Sequence, residues 1–325
     1  MTQTVTLGTS GLTQDEVVAV ARNSAKVVIS PAALDAMAKT RAHIEKLAVA
    51  ETPVYGISTG FGALANKHID IADRVQLQKS LIRSHAAGMG AIVETEVTRA
   101  LMLLRLKTMC TGRTGVRPEL AETYAAILNA NITPIVHEFG SLGCSGDLAP
   151  LAHCAMVAMG EGRAVGADGV ERPVAELLAA ANITPVELRE KEGLALINGT
   201  DGMLGMLILA IHDLEKLNDS ADVIAAMSVE GLLGTDQVYR PELHFALRPH
   251  AGQAKSAANM LLHSRVQKLL PHTSKATTEF KTPTHFAAPH RFLVRFAIQS
   301  HTQSRSPRTS SLRQSIIRWC SNQVK

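Results

Sequence analysis

The chain has 325 residues, 46% of them hydrophobic, which suits one large or two ordinary domains with a sizeable core. Four cysteines, Cys110, Cys144, Cys154 and Cys320, follow neither a disulfide nor a zinc spacing, which points to a reducing, cytoplasmic setting without a metal. Met1-Thr2-Gln3-Thr4 is no basic signal start, and the most apolar run, Met203 to Ile211, is too short to span a bilayer, so no membrane partner is expected.

Val5 to Leu7 reads as a short strand. Thr13-Gln14-Asp15-Glu16 is a capping box opening a helix through Ala21. Lys26 to Ile29 is strand-like, and Ser30-Pro31 starts a long helix to about Val49 with Leu34, Met37, Ile44 and Leu47 on its apolar side. Val54-Tyr55-Gly56-Ile57-Ser58-Thr59-Gly60-Phe61-Gly62 reads as a strand end entering a glycine-rich loop. Taken alone, the stretch fits either an ordinary turn with a packing tyrosine or a loop that carries Tyr55 as a mobile general base. Ile71 to Ala86 is a helix ending at Ser84-His85-Ala86-Ala87-Gly88, where a histidine is ordinarily a charge partner for the helix end.

Glu94 to Cys110 is a strong helix, broken by Thr111-Gly112-Arg113-Thr114-Gly115. No Gly-Lys-Ser/Thr follows, so this is a helix–helix turn and not a phosphate loop. Another helix runs from Arg117-Pro118 to Asn129. In His137 to His153, HEFGSLGCSGDLAPLAH, three small residues, Cys144-Ser145-Gly146, precede a helix with Asp147 as its N-cap and a stripe of Leu148, Leu151, Ala152 and Ala155. A tight X-Ser-Gly loop can cyclise: the Gly146 nitrogen reaches the Cys144 carbonyl carbon, and dehydration of Ser145 leaves an electrophilic alkylidene. Asp168-Gly169 marks a hairpin within Arg163 to Arg172, and Val174 to Ala181 is a short helix. Leu194 to Ile197 delivers Asn198 to a glycine break, where Asn-Gly is ordinarily a turn former. Helices are expected over Met203 to Leu217 and Ala221 to Leu232, and Arg248-Pro249-His250-Ala251-Gly252-Gln253 leads into another.

GSLGCSGDLAPLAH resembles the prosthetic-group loop of the histidine/phenylalanine ammonia-lyase family, whose methylidene-imidazolone (MIO) forms autocatalytically. The usual tripeptide there is Ala-Ser-Gly. Cys144 replaces the alanine and keeps every ring atom, because that residue gives only backbone to the ring. YGISTGFG and EGLALINGT resemble further motifs of the family. The resemblance implies MIO from Cys144-Ser145-Gly146, Tyr55 as catalytic base, and Asn198 beside the prosthetic group or substrate. Ser84-His85 resembles the histidine-specific members, which makes His85 a reader of the substrate imidazole. The implied reaction is non-oxidative elimination of ammonia from L-histidine to give urocanate, by a homotetramer, with phenylalanine or tyrosine as alternative substrates. The implied fold is mainly α, a partial ammonia-lyase/fumarase-like helical bundle with a small N-terminal α+β region carrying the MIO loop.

The implied organisation is a MIO-bearing domain over 1–200, the start of a central bundle over 201–260, and a non-family tail over 261–325. That tail holds eleven Lys/Arg and one acid, against 22 basic and 28 acidic residues before it, and it also carries the only Trp and four of the seven Phe. This composition break is expected of a chain truncated or frameshifted after about residue 260. The expected carboxylate-gripping arginine of the family is not found there, so an inactive helical scaffold is the alternative reading. Nucleic-acid binding by the basic tail is the weaker account of its charge. Two further readings fit worse. Ser145 lacks the last glycine of a G-x-S-x-G nucleophile elbow, and His137, Cys144 and His153 match no metal-ligand spacing.

Overall fold

The computed structural model describes residues 3–142, 146–232, 234–245 and 250–266; Cys144, Ser145 and the tail beyond Val266 lie outside the described residues. The chain divides into two compact units, residues 1–209 and residues 210 onward.

In the first unit β1 (Thr4–Leu7) pairs in parallel with β2 (Lys26–Ile29), and the alternation of β1 turns Val5 and Leu7 inward. Between them α1 (Gln14–Asn23) opens on the expected capping box: Thr13 Oγ1 accepts from the Glu16 N–H while the Glu16 carboxylate accepts from the Thr13 N–H at 2.7 Å. Ser30 caps α2 (Pro31–Ala48). Then come α3 (Ile71–His85), β3 (Met89–Ile92), α4 (Thr95–Cys110), α5 (Pro118–Asn129), β4 (Thr133–Pro134) and β5 (His137–Phe139). These are followed by α6 (Leu148–Ala158), β6 (Arg163–Val165), β7 (Glu171–Pro173), α7 (Val174–Ala180), α8 (Glu192–Ile197) and α9 (Asp201–Gly231). β3 pairs antiparallel with β5, and β6 lies between β4 and β7, joined to β7 through the expected Asp168-Gly169 turn.

The unit is organised around α4. Every residue from Thr98 to Lys107 is buried, Arg99, Arg105 and Lys107 included, because the helix packs on several neighbours at once. α1, α2, α5 and α6 pack against it. The second unit holds the rest of α9, α10 (Pro241–Phe245) and α11 (Ala251–Val266) around Ala226, Val229, Tyr239, Ala257, Met260 and Leu261.

Two expectations are corrected. Residues 201–231 form one helix and not two, because Asn218 to Ser220 carry neither proline nor glycine and do not interrupt it. Taken together, Glu192–Gly231 is long and apolar enough to cross a membrane by length and composition, while Leu204, Ile208 and Leu209 within it pack into the first unit's core. No strand leads into the Tyr55 loop: Pro53 and Val54 are unpaired as strand, and the loop folds on itself, with Val54 O accepting from the N–H groups of Ile57 and Ser58.

Candidate active site

The site is built around the short helix α8. Its start is fixed by Glu192, a fully buried carboxylate that accepts from the backbone N–H of Arg117 and of Arg189 at 2.9 and 2.8 Å and from the Arg117 guanidinium. A buried carboxylate with this many donors is satisfied instead of stranded. One face is fixed by α3: the Gly193 N–H donates to Gln78 Oε1 at 2.9 Å, and Leu81 lies beside the same glycine. The helix ends at Asn198, whose backbone leaves the helical region at φ −97, ψ 92 while its N–H still donates to Leu194 O. The Asn198 side chain is exposed.

Gly146 lies against the next residue. A Cβ at position 146 would overlap the Gly199 carbonyl, and Gly146 adopts φ +107, a region that favours glycine. The Asp147 N–H donates to that same Gly199 carbonyl at 2.6 Å. Asp147 stands at the start of α6 as expected, but it does not cap that helix by a side-chain bond. Its carboxylate turns the other way. One oxygen accepts from the N–H groups of Gly202 and Met203, at 2.7 and 3.1 Å, at the N-terminus of α9; the other accepts from Ser141 Oγ at 2.7 Å. At 1% exposure this buried carboxylate ties both flanks of the tripeptide to the turn that carries Asn198. The free N–H groups and positive end of α9 are the physical reason for its choice.

The other expected residues approach α8 through their neighbours. Gly56, at φ +72, lies against Leu194, with its N–H on Thr59 Oγ1; Tyr55 is half-exposed, its ring edge-on to Phe61 with centroids 6.0 Å apart. His85 is the last residue of α3, and its Nδ1 lies 2.9 Å from Leu81 O and 3.1 Å from Ser84 Oγ. A carbonyl can only accept, so Nδ1 carries a proton, and in the neutral tautomer this leaves Nε2 as the acceptor. Among the described residues Tyr55, His85 and Asn198 share no hydrogen bond with one another; what the structure joins directly is Gly146 and the Asn198-Gly199 turn.

His153 and His137 pack edge to face, with centroids 5.7 Å apart. His153 Nε2 accepts from the Gly88 N–H at 3.1 Å, and His137 Nδ1 lies 3.0 Å from Gly90 O. Among the described residues no group of three His, Cys, Asp or Glu is placed to hold a metal ion. Burial, and secondly the neighbouring His137, lower the His153 pKa. Burial pushes the Cys110 thiol up to about 11 and Cys154 up to about 12, so neither is a nucleophile near neutrality.

Sequence reasoning missed Arg105, Gln78 and the outward turn of Asp147. A signal for Arg105 was present: one arginine inside Leu101-Met102-Leu103-Leu104-Arg105-Leu106 must be buried with its helix, and buried arginines are paired.

The sequence profile of the aromatic amino acid lyases matches residues 12–283. The chain belongs to that family. It is 64% identical over 258 residues to a histidine ammonia-lyase of Streptomyces avermitilis, covering 79% of this chain and 50% of that protein. Among solved structures, histidine ammonia-lyase from Trypanosoma cruzi superimposes with a TM-score of 0.73 at 34% identity, over 79% of this chain and 49% of that one. Tyrosine aminomutase from Streptomyces globisporus superimposes with a TM-score of 0.78 at 33% identity, over 92% of this chain and 59% of that one. The chain thus spans about half the length of the curated relatives it matches, and its mainly helical fold is that of the family.

Proposed function

We propose that this chain carries the prosthetic-group half of a histidine ammonia-lyase, which eliminates ammonia from L-histidine to give trans-urocanate. The observation that supports it most is the seat of Gly146. The residue that must present a bare backbone nitrogen for ring closure is held at a positive φ, in a space that a Cβ would fill, against the turn bearing Asn198. Cys144-Ser145-Gly146 therefore fits MIO. Once closed, the ring would supply an electrophile for the substrate's amine or its imidazole, the chemistry needed to activate the bond to nitrogen.

The remaining work falls to ordinary side chains. Tyr55 removes the β-proton, and its half-exposed position lets that proton pass on to water. His85 presents Nε2 as an acceptor for the imidazole N–H of the substrate, a contact that a benzyl side chain cannot return. The Asn198 amide hydrogen-bonds the prosthetic ring or the substrate. The amine leaves as ammonia, so no redox partner is needed. By the same reading the enzyme is cytoplasmic and a homotetramer with L-histidine as its small-molecule partner, and the regions 1–200 and 201–260 are its MIO domain and the start of its bundle; the family match runs on to residue 283, past the tail boundary expected near residue 261.

The test is a chimera in which residues 12–260 replace the corresponding half of the Streptomyces avermitilis relative. It should convert L-histidine in preference to L-tyrosine and L-phenylalanine, with product followed by ultraviolet absorbance. Faster conversion of tyrosine or phenylalanine would overturn the histidine assignment.

A further inference from the structure

Arg105 is a cation at 2% exposure in the middle of the central helix α4. It is not placed there to solubilise anything, and its fork is spent on one short stretch of chain. Nη1 donates to Ala195 O at 2.8 Å and to Asn198 O at 3.3 Å, two carbonyls that the end of α8 leaves without helical partners. Nη2 pairs with the Asp201 carboxylate at the first residue of α9. Thr108, one turn further along α4, reaches the other Asp201 oxygen at 3.4 Å. One guanidinium thus spans the last turn of α8 and the first turn of α9, and the unwound link between them is Asn198-Gly199-Thr200.

The guanidinium also lies where the Gly199 side chain would be: a Cβ at 199 would overlap Nη2 and come within 2.5 Å of the Asp201 carboxylate. Gly199 does not have a positive φ, so its backbone would accept an L side chain. What demands glycine is the Arg105 guanidinium and the Asp201 carboxylate it pairs with.

We propose that Arg105 is the positioning residue of this site, which sets the place of Asn198 and the seat of Gly146 by clamping the turn between α8 and α9. The inference rests on the proposed roles of Asn198 and of the Gly146 ring, and its test does not depend on turnover. Lysine keeps the charge opposite Asp201 but replaces a planar fork with a single point donor, which cannot span two carbonyls and a carboxylate.

The experiment is hydrogen exchange by mass spectrometry on the full chain, for the parent, Arg105→Lys, Gly199→Ala and the double variant, with intact mass measured on each. In both single variants the amides of Asp147, Asn198, Gly202 and Met203 should exchange at least about tenfold faster while those inside α4 keep their protection, the pattern of a local opening. An arginine that merely stabilises the core would raise exchange throughout the first unit. In the double variant the shorter lysine vacates the space the new methyl needs, so the effects should be less than additive. Unchanged exchange at these amides, a uniform rise, or full additivity would overturn the proposal. Gly199→Ala leaves Arg105 in place and decides the matter by itself if Arg105→Lys fails to fold. A parent chain of unmodified mass would count against the ring, and the exchange pattern would still decide the role of Arg105.

Discussion

Asp147→Ala removes the contact that joins the prosthetic loop to the rest of the site, and its cost follows from the three bonds its carboxylate accepts. Loss of a helix cap costs about 0.5–2 kcal/mol, and a carboxylate on a buried helix N-terminus adds up to about 2. Alanine also strands the Gly202 and Met203 amides that met a carboxylate of 1% exposure, where an unsatisfied polar group costs about 1–3 kcal/mol, while the exposed Ser141 hydroxyl turns to water. These contributions overlap, so about 3 kcal/mol is expected, close to a hundredfold in the folding equilibrium. Asp147→Asn keeps a neutral acceptor for Gly202 and should lose only about 1 kcal/mol. Asp15→Ala, an exposed carboxylate in the first turn of α1, should lose less than about 0.5. Urea unfolding followed by far-UV circular dichroism measures all three, with the shift read at constant m. An Asp147→Ala variant within about 0.5 kcal/mol of the parent would refute the reasoning.

In the chimera, His85→Leu should collapse the preference for histidine over phenylalanine, by up to about 10⁴-fold if the imidazole contact is fully desolvated; kcat/KM for each amino acid measures it, and an unchanged ratio would end the assignment. His153 is held neutral in the fold, by burial first and His137 second, with Nε2 accepting from Gly88. Its folded pKa lies below its unfolded value, so the unfolded chain binds more protons between the two. The stability it contributes is present above about pH 6.5 and lost as pH falls through the folded value. His153→Gln, which keeps an acceptor but does not titrate, should flatten that part of the stability–pH curve, and an unaltered curve would show that His153 is not the group responsible.

How much could be read in advance follows from what each feature depends on. The capping box of α1, the Ser30-Pro31 start of α2 and the Asp168-Gly169 hairpin are local agreements between residues a few positions apart, and each is present in the structure. The candidate residues Tyr55, His85, Ser145 and Asn198 stand out in the sequence because their motifs are dense in residues with restricted conformational or chemical uses. The partners were not. Asp147 reads as a cap for the helix that follows it, and only the approach of residues 202 and 203, 55 positions and more away, turns its carboxylate to another helix. Gln78 reads as a surface residue of an amphipathic helix until Gly193 arrives with an unpaired N–H. Gly199 reads as half of an Asn-Gly turn, although its φ is not positive and Arg105 is what excludes a side chain. In each case tertiary contacts decide which of two chemically reasonable roles the residue takes.

The most direct test of the central claim is the intact mass of the purified chain beside its Ser145→Ala variant. Ring closure and dehydration remove two waters, so the parent should weigh roughly 36 Da less than its sequence requires, and the variant should show its full mass. A parent chain at its full sequence mass would contradict the account, because the seat at Gly146 would then hold an ordinary glycine and the site would have no electrophile.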